Sequence, residues 1–363
     1  MTLPAQVAAD EVRVMLCDDS ATTRAILGRL LEGEPGIRVV HRAADGRAAI
    51  EALPAAKPDV VLLDLEMPVM DGMTALPLIL KAAPDVAVIV ASALTQRGAK
   101  AAIAALAAGA ADYVPKPRGG AGGAADPAFK AELIAKVRGW ARMKRGSAAA
   151  RAHTAMPPPS PPRAAIASRQ PPALVAIGCS TGGPQALASL IRRLPRLGVP
   201  VVVVQHMPAG FTTMLAEHLG RIGPHDAAEA TDGEALLPGR ILLAPGDRHM
   251  LLDASATGLR VRLTSDPPEN FCRPAVDPML RSAARATGGR LLAVILTGMG
   301  HDGLEGCRAV AAAGGTVFAQ DEASSVVWGM PGAVTRAGLP ALVAPPEALA
   351  ERIAALAGER VIA

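Results

Sequence analysis

The sequence predicts two α/β units in tandem, each built on a parallel sheet, and three observations carry that prediction. Short apolar runs alternate with helix-like patterns along both halves of the chain, as βα units require. A proline-dense stretch separates the halves. Acids, a serine and a histidine stand directly after several of the apolar runs, at the strand ends where an open parallel sheet builds its site. A chain of 363 residues is long enough for two proper cores.

In the first half the expected strands are Val12 to Cys17, Arg38 to Ala43, Val60 to Leu63, Ala87 to Ala91 and Asp112 to Val114. With helices between them they make a five-stranded doubly wound domain over 12–146. Residues 147–172 hold seven prolines among scattered Ala and Arg with no hydrophobic period, the composition of an extended interdomain linker. Over 173–363 the expected strands are Leu174 to Ile177, Val201 to Val204, Arg240 to Ala244 and Leu291 to Thr297, which predict a second α/β domain.

Hydrophobic residues make up 50% of the chain, yet no apolar run approaches the roughly 18 residues of a spanning helix. Met1 to Glu11 lacks a basic segment followed by an apolar one, so the expected location is the cytoplasm, without membrane insertion. The net charge of +4 comes from six basic residues and no acid between Ala141 and Pro172, which leaves −2 elsewhere. With only 2% aromatic residues there is little material for stacking bases, so no nucleic-acid partner is expected. Cys17, Cys179, Cys272 and Cys307 are far apart and form no C-x-x-C pair, which argues against a disulfide framework or a zinc site.

In the first half, strand one ends in Asp18-Asp19, strand three in Asp64 and strand four in Ser92, while strand five runs through Tyr113 to Lys116. Carboxylates converging on one sheet edge repel unless a hard divalent cation sits among them, and oxygen ligands suit Mg²⁺. Asp64 could then attack phosphorus, with Lys116 and the Ser92 hydroxyl facing the anion. Cys17-Asp18-Asp19-Ser20, Leu63 to Pro68 with Met70-Asp71-Gly72, and Lys116-Pro117 resemble a response-regulator receiver domain. That resemblance implies phosphorylation at Asp64, Mg²⁺ held by Asp19, Asp64 and the Glu66 carbonyl with Asp18 assisting, and a switch through Ser92 and Tyr113.

In the second half, Gly178-Cys179-Ser180-Thr181-Gly182 is literally G-x-S-x-G, between an apolar strand and a helix expected near Pro184. The next strand ends in Gln205-His206, and the strand from Leu291 runs into Thr297-Gly298-Met299-Gly300-His301-Asp302-Gly303. A nucleophile at Ser180, a base at His206 and an orienting Asp302 accepting Nδ1–H of the imidazole is the expected triad. The chain order of α/β-hydrolases would instead nominate Asp247 with His249, or Asp277 with His301. A dinucleotide site fits poorly, because Ser180 stands at the middle glycine of G-x-G-x-x-G.

Ile177 to Gly183, Gln205 to Pro208, Arg273 to Pro278, Thr297 to Gly303 and Ala319 to Ala323 with Gly329 to Gly332 resemble the catalytic domain of chemotaxis protein-glutamate methylesterases. The resemblance implies a Ser180–His206–Asp302 triad that hydrolyses glutamyl methyl esters and deamidates selected glutamines on helices of the cytoplasmic domains of methyl-accepting chemoreceptors. It also implies a chemotaxis histidine kinase as phosphodonor and no metal in the second domain. The oxyanion is expected at the Thr181 N–H and an N–H of the Met299 loop. Cys179 is expected as a small buried residue, and His301 as a second imidazole beside Asp302. A phosphorylation-controlled binding module with an inactive esterase-like domain is the alternative reading.

Overall fold

The computed structural model describes residues 11–116, 127–152 and 171–358. The chain divides into two compact units. In the first, the order is β1 (Val12–Cys17), α1 (Ala21–Glu32), β2 (Ile37–Ala43), α2 (Gly46–Ala56), β3 (Val60–Asp64), α3 (Gly72–Ala82), β4 (Ala87–Ser92), α4 (Gln96–Ala107), β5 (Asp112–Pro115) and α5 (Pro127–Ala152). The strands pair in parallel in the order β2-β1-β3-β4-β5. β3 and β4 are buried at every position, because helices cover both faces of the sheet. Helices α1 to α4 each begin at a side chain that accepts a first-turn N–H: Ser20, Asp45, Asp71 and Thr95. Since α5 continues to Ala152, the segment expected as linker from Ser147 opens inside a helix; residues 153–170 lie outside the described residues.

The second unit runs β6 (Leu174–Cys179), α6 (Gly183–Arg193), β7 (Val201–Gln205), α7 (Phe211–Ile222), β8 (Asp226–Glu229), β9 (Arg240–Leu243), β10 (His249–Ser255), β11 (Gly258–Thr264), α8 (Val276–Thr287), β12 (Leu291–Ile295), α9 (Leu304–Ala312), β13 (Thr316–Gln320), α10 (Met330–Arg336), β14 (Leu342–Ala344) and α11 (Pro346–Ala357). Seven strands form a parallel sheet in the order β14-β13-β12-β6-β7-β9-β8, and β10 and β11 form a separate hairpin. Beyond the four expected strands, β8, β13 and β14 complete the sheet. The hairpin was not anticipated: its alternating polar residues, Asp253, Arg260 and Arg262, face solvent in a ribbon whose inner side, Met250, Leu252 and Val261, joins the core.

Both sheets reverse their winding at one place. From β6 the chain proceeds outward through β7 to one edge, then returns to β12 on the other side of β6. In the first unit the reversal falls between β1 and β3. At such a switch point the loops after two neighbouring strands diverge and leave a crevice at the carboxyl ends.

Candidate functional site

The crevice of the first unit receives Asp18 and Asp19 after β1 and Asp64 at the end of β3. One carboxylate oxygen from each lies within 4.8 Å of the others. Asp18 and Asp64 are buried, at 2% and 1% exposure. Lys116 Nζ stands 2.5 Å from Asp64 Oδ2 and 3.5 Å from Asp18 Oδ2. The remaining contacts are few: Ser20 N–H donates to Asp18 Oδ1 at 2.8 Å, and Glu66 N–H to Asp64 Oδ1 at 3.1 Å. Asp18 Oδ2 is buried without a hydrogen-bond partner. Burial pushes the Asp64 carboxyl up, against the pull of Lys116 and the Glu66 N–H, and Asp18 adds to the rise. Burial is the largest influence on Lys116 and opposes its charge, but the bond to Asp64 and the charges of Asp64 and Asp18 together outweigh it, and its pKa is raised. A buried carboxylate oxygen with no donor, beside two further carboxylates, fits an oxygen-coordinated divalent cation.

Ser92 and Tyr113 sit on the neighbouring strands β4 and β5, away from a direct bond to Asp64. Ser92 Oγ donates to the Gly98 carbonyl at 2.7 Å. Tyr113 is buried at 4% exposure, with Lys136 Nζ 4.7 Å from its ring centroid.

In the second unit, three adjacent strands at the centre of the sheet position the catalytic candidates. Cys179 on β6 is in register with Gln205 on β7, so Ser180 and His206 are the next residues out on neighbouring strands. Asp302 arrives on the loop after β12, which pairs with the other side of β6. Ser180 N–H donates to the Thr297 carbonyl at 3.0 Å, tying the serine turn to that loop. The approach is close: a Cβ on Gly298 would lie 2.9 Å from Ser180 Cβ and 2.3 Å from Met330 Sδ, so only glycine fits. Gly182, with φ of 75°, makes the left-handed step into α6.

His206 Nε2 lies 2.8 Å from Asp302 Oδ2. The expected bond ran through Nδ1; the ring instead turns Nε2 to the carboxylate and Nδ1 to Cys272 Sγ, 3.4 Å away. The nitrogen left to serve Ser180 is therefore Nδ1. Among the described residues no hydrogen bond joins the Ser180 hydroxyl to His206, and neither the Thr181 nor the Met299 N–H donates to a backbone acceptor.

Asp302 is heavily bonded. Besides the imidazole, its Oδ2 accepts from Val276 N–H at 2.7 Å, and its Oδ1 accepts from Asp277 N–H at 3.0 Å, Gly303 N–H at 2.9 Å and Asn270 Nδ2 at 2.9 Å. Two of these donors open α8, whose own N-cap, Ala275, has no side chain that could accept them. Burial would raise the Asp302 carboxyl, but His206 and the helix N–H groups overcome it and hold it below the usual carboxylate range. Reciprocally, burial would lower the His206 imidazole, and its bonds to Asp302 and Cys272 raise it above the ordinary histidine value.

Residues outside the expected triad complete the site. Gln205 Nε2 donates to the carbonyls of Ser180 at 2.9 Å and His206 at 3.2 Å, and its Oε1 accepts from Cys179 Sγ at 3.0 Å. One amide thus clamps the nucleophile strand to the base strand. Asn270 bridges Asp302 and the buried Asp277; burial raises Asp277 to about 6. Gln205 was legible as a polar residue at a strand end, whereas nothing local marked Asn270 or Cys272.

The α/β-hydrolase pairings find no support. His249 is buried with Nδ1 accepting from Ala275 N–H at 3.2 Å and Nε2 3.1 Å from the Pro267 carbonyl, so neither nitrogen meets a carboxylate. His301 is exposed, and among the described residues it makes no bond to Asp302 or Asp277. Cys179 is fully buried, as expected, and burial raises its thiol.

A CheB methylesterase profile matches residues 175–353, and a response regulator receiver domain profile matches residues 14–121. A protein-glutamate methylesterase/protein-glutamine glutaminase of Paramagnetospirillum magneticum is 48% identical, over 97% of this chain and 98% of that one. Its counterpart in Azospirillum brasilense is 52% identical over 93% and 90%. The CheB methylesterase catalytic domain of Thermotoga maritima, a crystal structure, superposes with a TM-score of 0.50 and 42% identity, covering 51% of this chain and 98% of that one. With both profiles in order and relatives alike over nearly their whole length, the chain belongs to the CheB methylesterase family, with a response-regulator receiver domain preceding the esterase domain.

Proposed function

We propose that this chain hydrolyses γ-glutamyl methyl esters on the cytoplasmic domains of chemoreceptors and deamidates selected glutamines there, under control of phosphorylation at Asp64. The observation that carries the reading is the His206–Asp302 pair, held at 2.8 Å on strands flanking the one that presents Ser180.

Ser180 Oγ attacks the ester carbonyl while His206 Nδ1 takes its proton. The Nε2–H donates to Asp302, which steadies the imidazolium. The Thr181 and Met299 N–H groups are the donors available to the tetrahedral oxyanion. Collapse of that intermediate breaks the C–O bond, and His206 returns the proton to the leaving oxygen as methanol departs. Water, deprotonated by His206, then cleaves the acyl-enzyme to free glutamate and Ser180. With a glutamine substrate the same route releases ammonia. Cys272 Sγ must yield Nδ1 to the serine, and catalytic hydrogen bonds of this kind tighten when substrate is present.

In the receiver, Asp64 is the phosphoryl acceptor from a histidine kinase, and Lys116 pairs with the anion. Asp18, Asp19, Asp64 and the Glu66 carbonyl would hold Mg²⁺, which when bound neutralises phosphoryl oxygens. Ser92, freed from the Gly98 carbonyl, and Tyr113 respond to the new charge. Among the described residues no helix is long and apolar enough to cross a membrane.

Methanol release from methylated receptor membranes, with and without a small phosphodonor, tests the reading. Ser180→Ala and His206→Ala should each cut turnover by about 10⁴-fold or more, non-additively. Released from a receiver that, when unphosphorylated, holds the esterase back, a fragment beginning at Ala173 should outpace the unphosphorylated full chain. Near-normal turnover in His206→Ala would refute the triad, and a fragment no faster than the intact chain would refute inhibition by the receiver.

A further inference from the structure

The turn that carries Cys272 touches two groups of the site and leaves its tip bare. Glu269 and Cys272 pair through two backbone hydrogen bonds of 3.1 and 2.9 Å. Between them Asn270 and Phe271 both take positive φ, 53° and 63°. Two positive values in a two-residue connection mark a type I′ turn, where Asn followed by Gly is the favoured pair. Phe271 in the glycine position is strained, and the fold gives nothing back: its side chain is fully exposed, at 102%. The turn is nonetheless fixed relative to the chemistry. Asn270 Nδ2 bonds Asp302 and Asp277 at 2.9 Å each, and Cys272 Sγ meets His206 Nδ1.

A second apolar side chain stands on another loop of the same crevice. Met299 is 41% exposed and follows Gly298, which packs on Ser180. Among the described residues of the esterase unit the exposed large hydrophobics are Leu237, Phe271, Met299 and Val343. Two of these four belong to loops that build the site.

We infer that Phe271 is a substrate-docking residue whose ring, with Met299, packs on apolar surface of a helical receptor segment beside its esterified glutamyl side chain, so that the site selects a folded protein ester over a small one. The inference rests on the glutamyl-esterase reading above. A glutamyl side chain is short, so bringing its carbonyl to Ser180 lays the helix itself across the rim. Residues one turn away on that helix then face the loops flanking the site. A rigid aromatic held at fixed distance from the triad is suited to anchor such a partner.

Phe271→Gly tests this, because glycine relieves the turn and should leave the melting temperature equal or higher. Steady-state rates are measured on methylated receptor and on a small soluble γ-glutamyl methyl ester. KM for receptor should rise by about tenfold or more with little change in kcat, so that kcat/KM for receptor relative to the small ester falls about tenfold. Phe271→Tyr should restore most of it. An equal loss on both substrates, no loss on either, or faster receptor hydrolysis by the unphosphorylated variant would each overturn the inference, the last by pointing to the chain's own receiver as occupant. Wild-type protein active on the small ester but not on receptor would overturn the parent reading and this inference together. Wild-type activity on receptor with an unaltered variant would overturn this inference alone.

Discussion

The two units bury carboxylates at the same topological position and treat them in opposite ways. At the receiver's switch point Asp18 keeps an oxygen without a donor, and burial pushes Asp64 toward its neutral form. At the esterase's switch point Asp302 is surrounded by donors from His206, Val276, Asp277, Gly303 and Asn270 and is held ionised. An under-bonded cluster is poised to accept new charge, whether a cation or a phosphoryl group. A fully bonded carboxylate has fixed geometry and serves to orient. The same contrast runs through the helices. Receiver helices α1 to α4 are capped by their own flanking side chains, whereas α6 to α9 begin at Gly or Ala, and α8 borrows its cap from Asp302.

The sharpest test removes the charge from the saturated side. Asp302→Asn should lower kcat by about 10³–10⁴-fold, through loss of the oriented tautomer. Because one amide group then faces N–H donors, the variant should also melt several degrees lower. Wild-type stability with lost activity would mean that the α8 contacts are dispensable. Asp64→Asn comes next: stimulation by a phosphodonor should vanish, and phosphate incorporation with it. Persistent stimulation would place the acceptor elsewhere.

A smaller effect follows from the imidazole. His206 must be neutral to accept a proton, and its pKa is raised by Asp302 and Cys272, so the rate should rise with pH through a midpoint above the usual ~6.5. The stability contribution has the opposite sense. A raised folded pKa makes the pair's contribution complete below ~6.5 and lost as pH climbs through the folded value; the Asp302 share, with its pKa lowered, is present above ~3.9 and lost as pH falls through its folded value. A pH–rate midpoint below 6.5 would refute this electrostatic account. The mildest change is Asp18→Asn, which removes a buried charge whose Oδ2 has no hydrogen bond and only the Lys116 ammonium beside it, at 3.5 Å. In cation-free buffer it should melt at an equal or slightly higher temperature, while the stabilisation that Mg²⁺ gives the wild type should be lost. A variant that Mg²⁺ stabilises as well as the wild type would exclude Asp18 as a ligand.

The expected strands from Val12 through Leu291 were legible because buried parallel strands read as short apolar runs, and the site residues because they follow those runs directly. The edge strands of the second sheet were not, and neither was its interior strand β13, although Thr316–Gln320 is buried throughout. β8, Asp-Ala-Ala-Glu, has no buried position in its pattern, and β14 has only three residues. Which imidazole nitrogen meets Asp302 was equally hidden. It depends on the ring's rotation between Asp302 and Cys272, residues 96 and 66 positions away in the chain. The donors to Asp302 were invisible for a related reason: a backbone N–H carries no sequence signature, and Val276 and Asp277 contribute theirs only because α8 starts there.

That shared cap also makes the first turn of α8 a reporter. An excursion that frays this turn withdraws two donors from Asp302 at the same instant, so local opening and loss of the imidazole's support are one event rather than two. Hydrogen exchange at the Val276 and Asp277 amides would therefore follow catalytic competence, and heat would silence the enzyme as that turn opens, before the sheet itself comes apart.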